Sequence, residues 1–196
     1  RISIKTRETS KQIDQDIVRV PSDRDKVDVL HDILIQTQVE KVLVFTRTKH
    51  GADKLSKKLY QLGFKSDAIH GDKPQSKRQR IMKLFKENNI DILVATDVAA
   101  RGLDIPKVSH VINFDVPATY EDYVHRIGRT GRAGDAGDSM VFMSPDESSI
   151  LARVERQLYC RLPRKVLPDF DYRPPPPPKR QAVGPPKCPP KPRPQP

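Results

Sequence analysis

The sequence predicts an α/β fold, an open parallel sheet with helices on both faces, in one domain over about residues 16–165, followed by a disordered basic tail. Three observations predict it. Short apolar runs alternate strictly with amphipathic stretches of helical spacing. Several of the apolar runs do not alternate with polar residues, as expected of strands buried on both faces. The composition then breaks: from Arg173 to Pro196 half the residues are proline, including the run Pro174–Pro178. Such a segment cannot build a helix or a ladder and samples extended polyproline conformations.

Taken in order, Asp16–Val20 (DIVRV) alternates and is stopped by Pro21, which reads as a strand. Ser22 or Asp23 can cap a helix to about Gln36, with Val27, Leu30, Ile33 and Leu34 on one face. Lys41–Thr46 (KVLVFT) reads as a buried strand, and Lys49–Gly63 as a helix ending on glycine. Ser66–His70 is a short strand, and Gln75–Lys86 an amphipathic helix with Ile81, Leu84 and Phe85 inward. Asp91–Thr96 (DILVAT) is the next strand, then a helical turn, then Val108–Phe114. A helix begins near Thr119, Asp138–Met143 is the last strand, and Asp146–Gln157 the last helix. Helices between parallel strands require right-handed crossovers, so ligands should meet the loops at the carboxyl ends of the strands.

The formal net charge is +11, of which residues 173–196 carry +6 and no acid, leaving +5 to the rest. That balance favours polyanionic partners. The two cysteines, Cys160 and Cys188, make neither a disulfide framework nor a metal-ligand spacing. No apolar run has the length of a membrane span, and the basic, polar start is no secretory signal. The expectation is a soluble cytoplasmic protein without a membrane partner and without a metal site of its own.

The loops that follow the strands hold the unusual residues. They contain Thr46-Arg47-Thr48-Lys49, then His70-Gly71-Asp72 with Gln75 and Arg78 beyond, then Thr96-Asp97 through Arg101-Gly102-Leu103-Asp104. The densest stretch is His125-Arg126-Ile127-Gly128-Arg129-Thr130-Gly131-Arg132. Each piece has a plain structural explanation: Thr-Arg-Thr as a helix cap, Gly71 as a turn, Asp104 as a turn residue before Ile105-Pro106. The arginines could be held by Glu121 and Asp122, and Arg101 could brace Asp97 or meet a ligand. Gathered on one sheet edge, together they point to an anionic ligand.

The segments VLVFTRTKHGADKL, IHGDKPQSKRQR, ILVATDVAARGLDIP and YVHRIGRTGRAG resemble, in order, motifs IV, IVa/QxxR, V and VI of DEAD-box RNA helicases. The resemblance covers roughly residues 12–165, the second, RecA-like domain of that family, and the opening residues 1–15 resemble the interdomain linker. Motif VI begins with His125 rather than glutamine, which favours the DEAD-box over the DEAH group. The phosphate loop G-x-x-x-x-G-K-[ST], an Asp-Glu-Ala-Asp motif, Ser-Ala-Thr and an adenine-reading glutamine motif do not occur in the sequence. In the family these lie in the first RecA-like domain, so the resemblance implies half of an enzyme.

The resemblance makes Arg129 and Arg132 arginine fingers on the γ-phosphate of ATP, a role suited to a guanidinium that stays charged and clamps two oxygens. It makes His125 a link across the cleft to the N-terminal RecA-like domain, and Gly128 and Gly131 the points that let both arginines face one place. Asp104 would accept the ribose hydroxyls of ATP, with Gly102 allowing close approach. Thr46, Arg47, Gly71, Asp72, Arg78 and Thr96 would face RNA, contacting phosphates and 2′-hydroxyls without reading bases. Only 6% of residues are aromatic and tryptophan is absent, which also favours backbone recognition. Mg2+ would be held through the other domain. The implied protein is an RNA-unwinding ATPase, expected to be a monomer, and this chain by itself is expected to be inactive.

Two other functions stay open at this level: a stand-alone RNA-binding or chaperone module, and a different superfamily-2 translocase. The tail is a solvated spacer or an auxiliary RNA tether; a proline-rich ligand for a partner's aromatic groove is a further reading.

Overall fold

A computed structural model of the chain describes residues 13–36, 41–106, 108–130 and 137–165. Residues 1–12 of the expected linker, Arg132 with Gly131, and the tail 166–196 lie outside the described residues.

Among the described residues, seven parallel strands form one sheet. In chain order they are β1 (Ile13–Arg19), β2 (Val42–Phe45), β3 (Ser66–Ile69), β4 (Ile92–Ala95), β5 (His110–Asn113), β6 (Gly137–Met143) and β7 (Arg164–Lys165). Their spatial order is β3-β4-β2-β5-β6-β1-β7. The helices are α1 (Lys26–Gln36), α2 (Lys49–Gln61), α3 (Gln75–Lys86), α4 (Asp97–Ala100), α5 (Tyr120–Ile127) and α6 (Ser148–Leu158). This is the open, two-faced α/β sheet that the alternation predicts. All four residues of β2, β4 and β5 are buried, which is why their sequences show no polar alternation.

Because neighbouring side chains on a strand point to opposite faces, each strand serves two cores. Val42 and Val44 meet α1 and α2 through Val29, Leu30, Ile33, Leu55 and Leu59. Leu43 and Phe45 meet α3, α4 and the loop beyond it on the other face, through Ile81, Phe85, Ala100 and Ile105. On that same face α5 and α6 pack on β1 and β6 through Tyr123, Ile127, Leu151 and Val154. Tyr123 also donates from its hydroxyl to Gln15 Oε1 at 2.6 Å.

The helix ends follow local chemistry. Thr48 caps α2 by accepting from the Gly51 N–H at 3.0 Å. At the other end Gly63 adopts φ +94°, its N–H donates to Tyr60 O, and Phe64 N–H donates to Leu59 O, a complete Schellman motif. Thr119 caps α5 by accepting from the Asp122 N–H at 3.1 Å. At the open sheet edge, Ala68 N–H on β3 donates to Asp67 Oδ1 at 2.7 Å, which blunts that edge against strand addition.

Three of the expected elements differ most from expectation. The first strand begins at Ile13 rather than Asp16, because β1 stays in register with β6 from Ile13↔Gly137 to Arg19↔Met143. The first helix starts at Lys26, one turn after Ser22 and Asp23. Asp25 N–H donates to Ser22 O, Ser22 Oγ to Asp25 Oδ2, and Val29 N–H then opens the helix on Asp25 O. The last helix is split into a 3-10 turn, Pro145–Glu147, and α6. The two-residue strand β7 carries no sequence pattern; it exists because Ile17 N–H donates to Pro163 O at 2.8 Å and Glu155 binds Arg164.

Candidate functional site

The chain leaves β2 to build β3 and β4 on one side and then crosses to build β5 and β6 on the other. The sheet therefore has a topological switch point at the carboxyl ends of β4, β2 and β5, where open α/β folds bind ligands. Asp97 follows β4, Asn113 ends β5, and Asp115 lies in the loop after it.

Arg126 bridges that point. Its Nε and Nη2 donate to Asp97 Oδ1 and Oδ2 at 2.7 and 2.8 Å, a bidentate pair. Its Nη1 donates to Asn113 Oδ1 and to Asp115 O, both at 2.9 Å. The guanidinium lies over the Phe45 ring at 5.0 Å, and the residue is only 2% exposed. The first arginine of the dense stretch is thus a brace between the loop after β4 and helix α5. Sequence reasoning missed it, although it lies on the Tyr123–Ile127 face of the helix, where a solvated arginine would not sit.

The acid partners also differ from expectation. Asp122 binds Arg101, so Arg101 does not brace Asp97. Arg129, half-buried two residues past the end of α5, directs Nη1 to Leu103 O at 3.5 Å, and its own carbonyl accepts from Val108 N–H. Thr130 is buried and donates to Val108 O at 2.8 Å. His125 is exposed, and with Arg101 and Arg129 it lines a small cleft over Asp97 and Phe45. Gly128 has φ −64°, which any residue adopts, so the turn that leads to Arg129 does not use glycine's special freedom.

Gly102 does use it: its φ is +77°. A Cβ there would meet nothing within 4 Å, so the glycine answers the backbone conformation and not a close neighbour. Asp104 is exposed and binds Lys86 Nζ at 2.6 Å; that contact holds its carboxyl below the ordinary carboxylate value.

The residues expected to face RNA are spread over the loops after β2, β3 and β4. Thr46 is buried and its hydroxyl donates inward to Thr48 O at 3.3 Å. Arg47 is half-exposed; its N–H donates to Asp115 Oδ2 at 2.7 Å and its Nη2 to Glu147 Oε1 at 3.0 Å. Gly71 is exposed, and Asp72 binds Lys49 at 2.6 Å. Arg78 Nη1 donates to Gln75 Oε1 at 3.2 Å, while its Nε is buried without a hydrogen-bond partner. Thr96 is buried at the start of α4, and its hydroxyl makes no cap bond.

Beneath Arg47 lies a charged node that the sequence reading also missed. Lys26, 1% exposed, binds Glu147 Oε2 at 2.7 Å, Asp23 at 3.0 Å and Asp115 at 3.7 Å. Glu147 further accepts from Val116 N–H and Ser144 N–H, both at 3.3 Å. The node ties together the loops after β1, β2, β5 and β6. Two signals were available: Lys26 falls on the Leu30–Ile33 face of its helix, and Ser144-Pro-Asp-Glu147 has capping-box spacing.

Comparison with known proteins places this geometry. The description "Helicase conserved C-terminal domain" matches residues 25–134. The DEAD-box ATP-dependent RNA helicase CshA of Bacillus cereus is 45% identical over 170 residues, covering 87% of this chain and 32% of that protein. The protein of the same name from Streptococcus pneumoniae is 48% identical over 147 residues, covering 75% and 28%. Among solved structures, the C-terminal domain of the DEAD-box protein Dbp5 superposes with a TM-score of 0.75 at 32% identity, covering 80% of this chain and 92% of that one. Escherichia coli DEAD-box protein SrmB, solved bound to the regulator of ribonuclease activity A, gives 0.73 at 37% identity, covering 79% and 90%.

The class defined by the fold and its braced edge is a RecA-like α/β domain. The chain belongs to the helicase conserved C-terminal domain family, as the second domain of the DEAD-box RNA helicase type. It spans about a third of the length of the CshA relatives, which are 32% covered in the Bacillus protein. Among the described residues no helix is long and apolar enough to cross a membrane, and no cluster of His, Cys, Asp or Glu could hold a metal ion.

Proposed function

We propose that this chain is the C-terminal half of an ATP-dependent RNA helicase that completes an ATP site formed with an N-terminal RecA-like domain. The observation that carries the reading is the Arg126–Asp97 brace. It fixes the end of α5 at the switch point with Arg129 and His125 beside the cleft. An arginine on a rigid support meets developing phosphate charge without reorganising. Arg129 and Arg132 then act as the fingers, Asp104 and Gly102 serve the ribose, and His125 links to the other domain. The donors and acceptor fit ATP: guanidinium groups for phosphate oxygens and one exposed carboxylate for sugar hydroxyls. Magnesium is held through the N-terminal domain.

RNA lies across the loops after β2, β3 and β4, met by Arg47, Arg78, Gly71, Asp72 and the backbone around Thr46 and Thr96. The Glu147–Lys26 node supports Arg47 from below, so a phosphate would share its guanidinium with Glu147. Thr46 and Thr96 contribute main-chain groups more readily than hydroxyls, since both side chains are buried.

The test is RNA-stimulated ATP hydrolysis by this chain joined to an N-terminal RecA-like domain of the family. Arg129→Ala is expected to lower turnover by about 10³-fold or more. Full turnover in that variant would remove the finger assignment.

A further inference from the structure

The carboxyl end of α6 carries a feature that the ligand edge does not use. Tyr159 is 93% exposed, and its backbone sits in the left-handed region at φ +55°. A bulky residue rarely stands there, because its Cβ crowds the following carbonyl; glycine is the usual occupant at a helix end. The ring therefore projects from the helix end into solvent. Arg153, Arg156 and Arg161 are all exposed in the same segment. Glu155, the acid among them, is buried, accepts from Leu162 N–H at 2.8 Å and binds Arg164; of the three exposed arginines only Arg161 acts on it through its charge.

Arg153, Arg156 and Gln157 also line a groove against α5, with Ala118 and Val154 in it and Glu121 as the one acid on its rim. Its volume of about 460 Å³ lies within the range of ligand sites. The strand after α6 runs parallel to β1, so α6 runs antiparallel to the sheet. Tyr159 thus lies toward the amino-terminal edge of the strands, away from Arg47, Gly71 and Thr96.

We infer that Tyr159 with Arg153, Arg156 and Arg161 forms a second docking site, for single-stranded nucleic acid. The arginines meet phosphates, and the phenol ring gives a base a face to stack on. An acidic peptide would satisfy the cations without using the ring as a stacking face for a base. The inference goes beyond the proposed ATP and RNA edge and shares no residue with it.

The test is the anisotropy of a fluorescein-labelled twelve-uridine RNA titrated with the 196-residue chain across a range of salt. Tyr159→Gly removes the ring while relieving the backbone, so the variant should fold at least as well, which a melting curve verifies. It should bind about fivefold or more weakly, and Tyr159→Phe should bind within about twofold of the parent. Replacing Arg153, Arg156 and Arg161 by glutamine should reduce the slope of log affinity against log salt by about 2. An Arg47→Ala, Arg78→Ala double variant should retain the Tyr159-dependent part, whatever happens to the ligand edge. Unchanged binding by Tyr159→Gly would overturn the inference. So would equal displacement of the RNA from parent and Tyr159→Gly by a poly-glutamate peptide, the result expected of a protein-docking surface.

Discussion

Arg126 and Arg129 stand three residues apart at the end of one helix in different surroundings. Arg126 is buried and engaged by Asp97, Asn113 and the Asp115 carbonyl; Arg129 is half-buried, lines the cleft and directs Nη1 to Leu103 O. Removing one partner of a buried ion pair leaves the other uncompensated, which costs about 3–5 kcal/mol. Arg126→Ala should therefore lower chemical-denaturation stability by about 3 kcal/mol, toward the low end because Asp97 keeps a side-chain exposure of 26%. Arg126→Lys should recover little of it, since an ammonium cannot make the bidentate pair and the two carbonyl contacts together. Gly102→Ala should cost about 1–2 kcal/mol through its φ of +77° alone, with no clash to add. His110 is a third case. It is buried beside Asp138, and burial holds its pKa below the ordinary 6.5, against the attraction of Asp138. A histidine with a depressed folded pKa contributes stability that is present above 6.5 and lost as pH falls through that value toward the folded pKa. The melting temperature should drop on acidification below pH 6.5, and His110→Gln should flatten that part of the profile.

At the scale of elements, the two shortest helices hold their positions by a few end contacts rather than by length. α4 is a single turn of four residues, and α5 has eight. Their placement depends on the Arg126–Asp97 pair and the Thr119 cap more than on intrinsic helix preference. β7 is shorter still. It is clipped to α6 by Arg164 on Glu155 and to β1 by the Ile17 N–H on Pro163 O. Arg164→Ala should release this clip locally. Hydrogen exchange at the Ile17 amide should accelerate, while amides of β2 and β4 in the sheet centre keep their protection. Equal acceleration in β2 would mean that the clip supports the whole sheet.

At the scale of the molecule, one sheet edge collects the loops expected to meet ATP and RNA. The phosphate-loop chemistry those loops would complete does not occur anywhere in these 196 residues. The purified chain should therefore show no ATP turnover above background, with or without RNA. Measurable RNA-stimulated hydrolysis by this chain alone would require a phosphate-binding site within it. The basic residues 173–196 should add to RNA affinity in a strongly salt-dependent way if they act as a tether; deleting them tests this, and unchanged affinity would leave a spacer.

The sequence by itself determined the fold class, because buried parallel strands and amphipathic crossovers are local patterns that survive without knowledge of contacts. Gln75–Lys86 is bounded by the same residues in both readings, and the two threonine caps at Thr48 and Thr119 lie where the residue types place them. It also carried the family, since the glycines, acids and arginines of the edge are spaced along the chain as in the four motifs. What only the tertiary structure decided is which charge faces which. Arg126, Lys26 and Glu147 look like solvated residues in a one-dimensional string, yet they are buried, because their partners lie 29, 121 and 100 positions away. An ion pair is a matter of distance in space and of the water excluded around it. Neither quantity is written in the order of residues until the sheet brings the loops after β1, β2, β4, β5 and β6 to one edge.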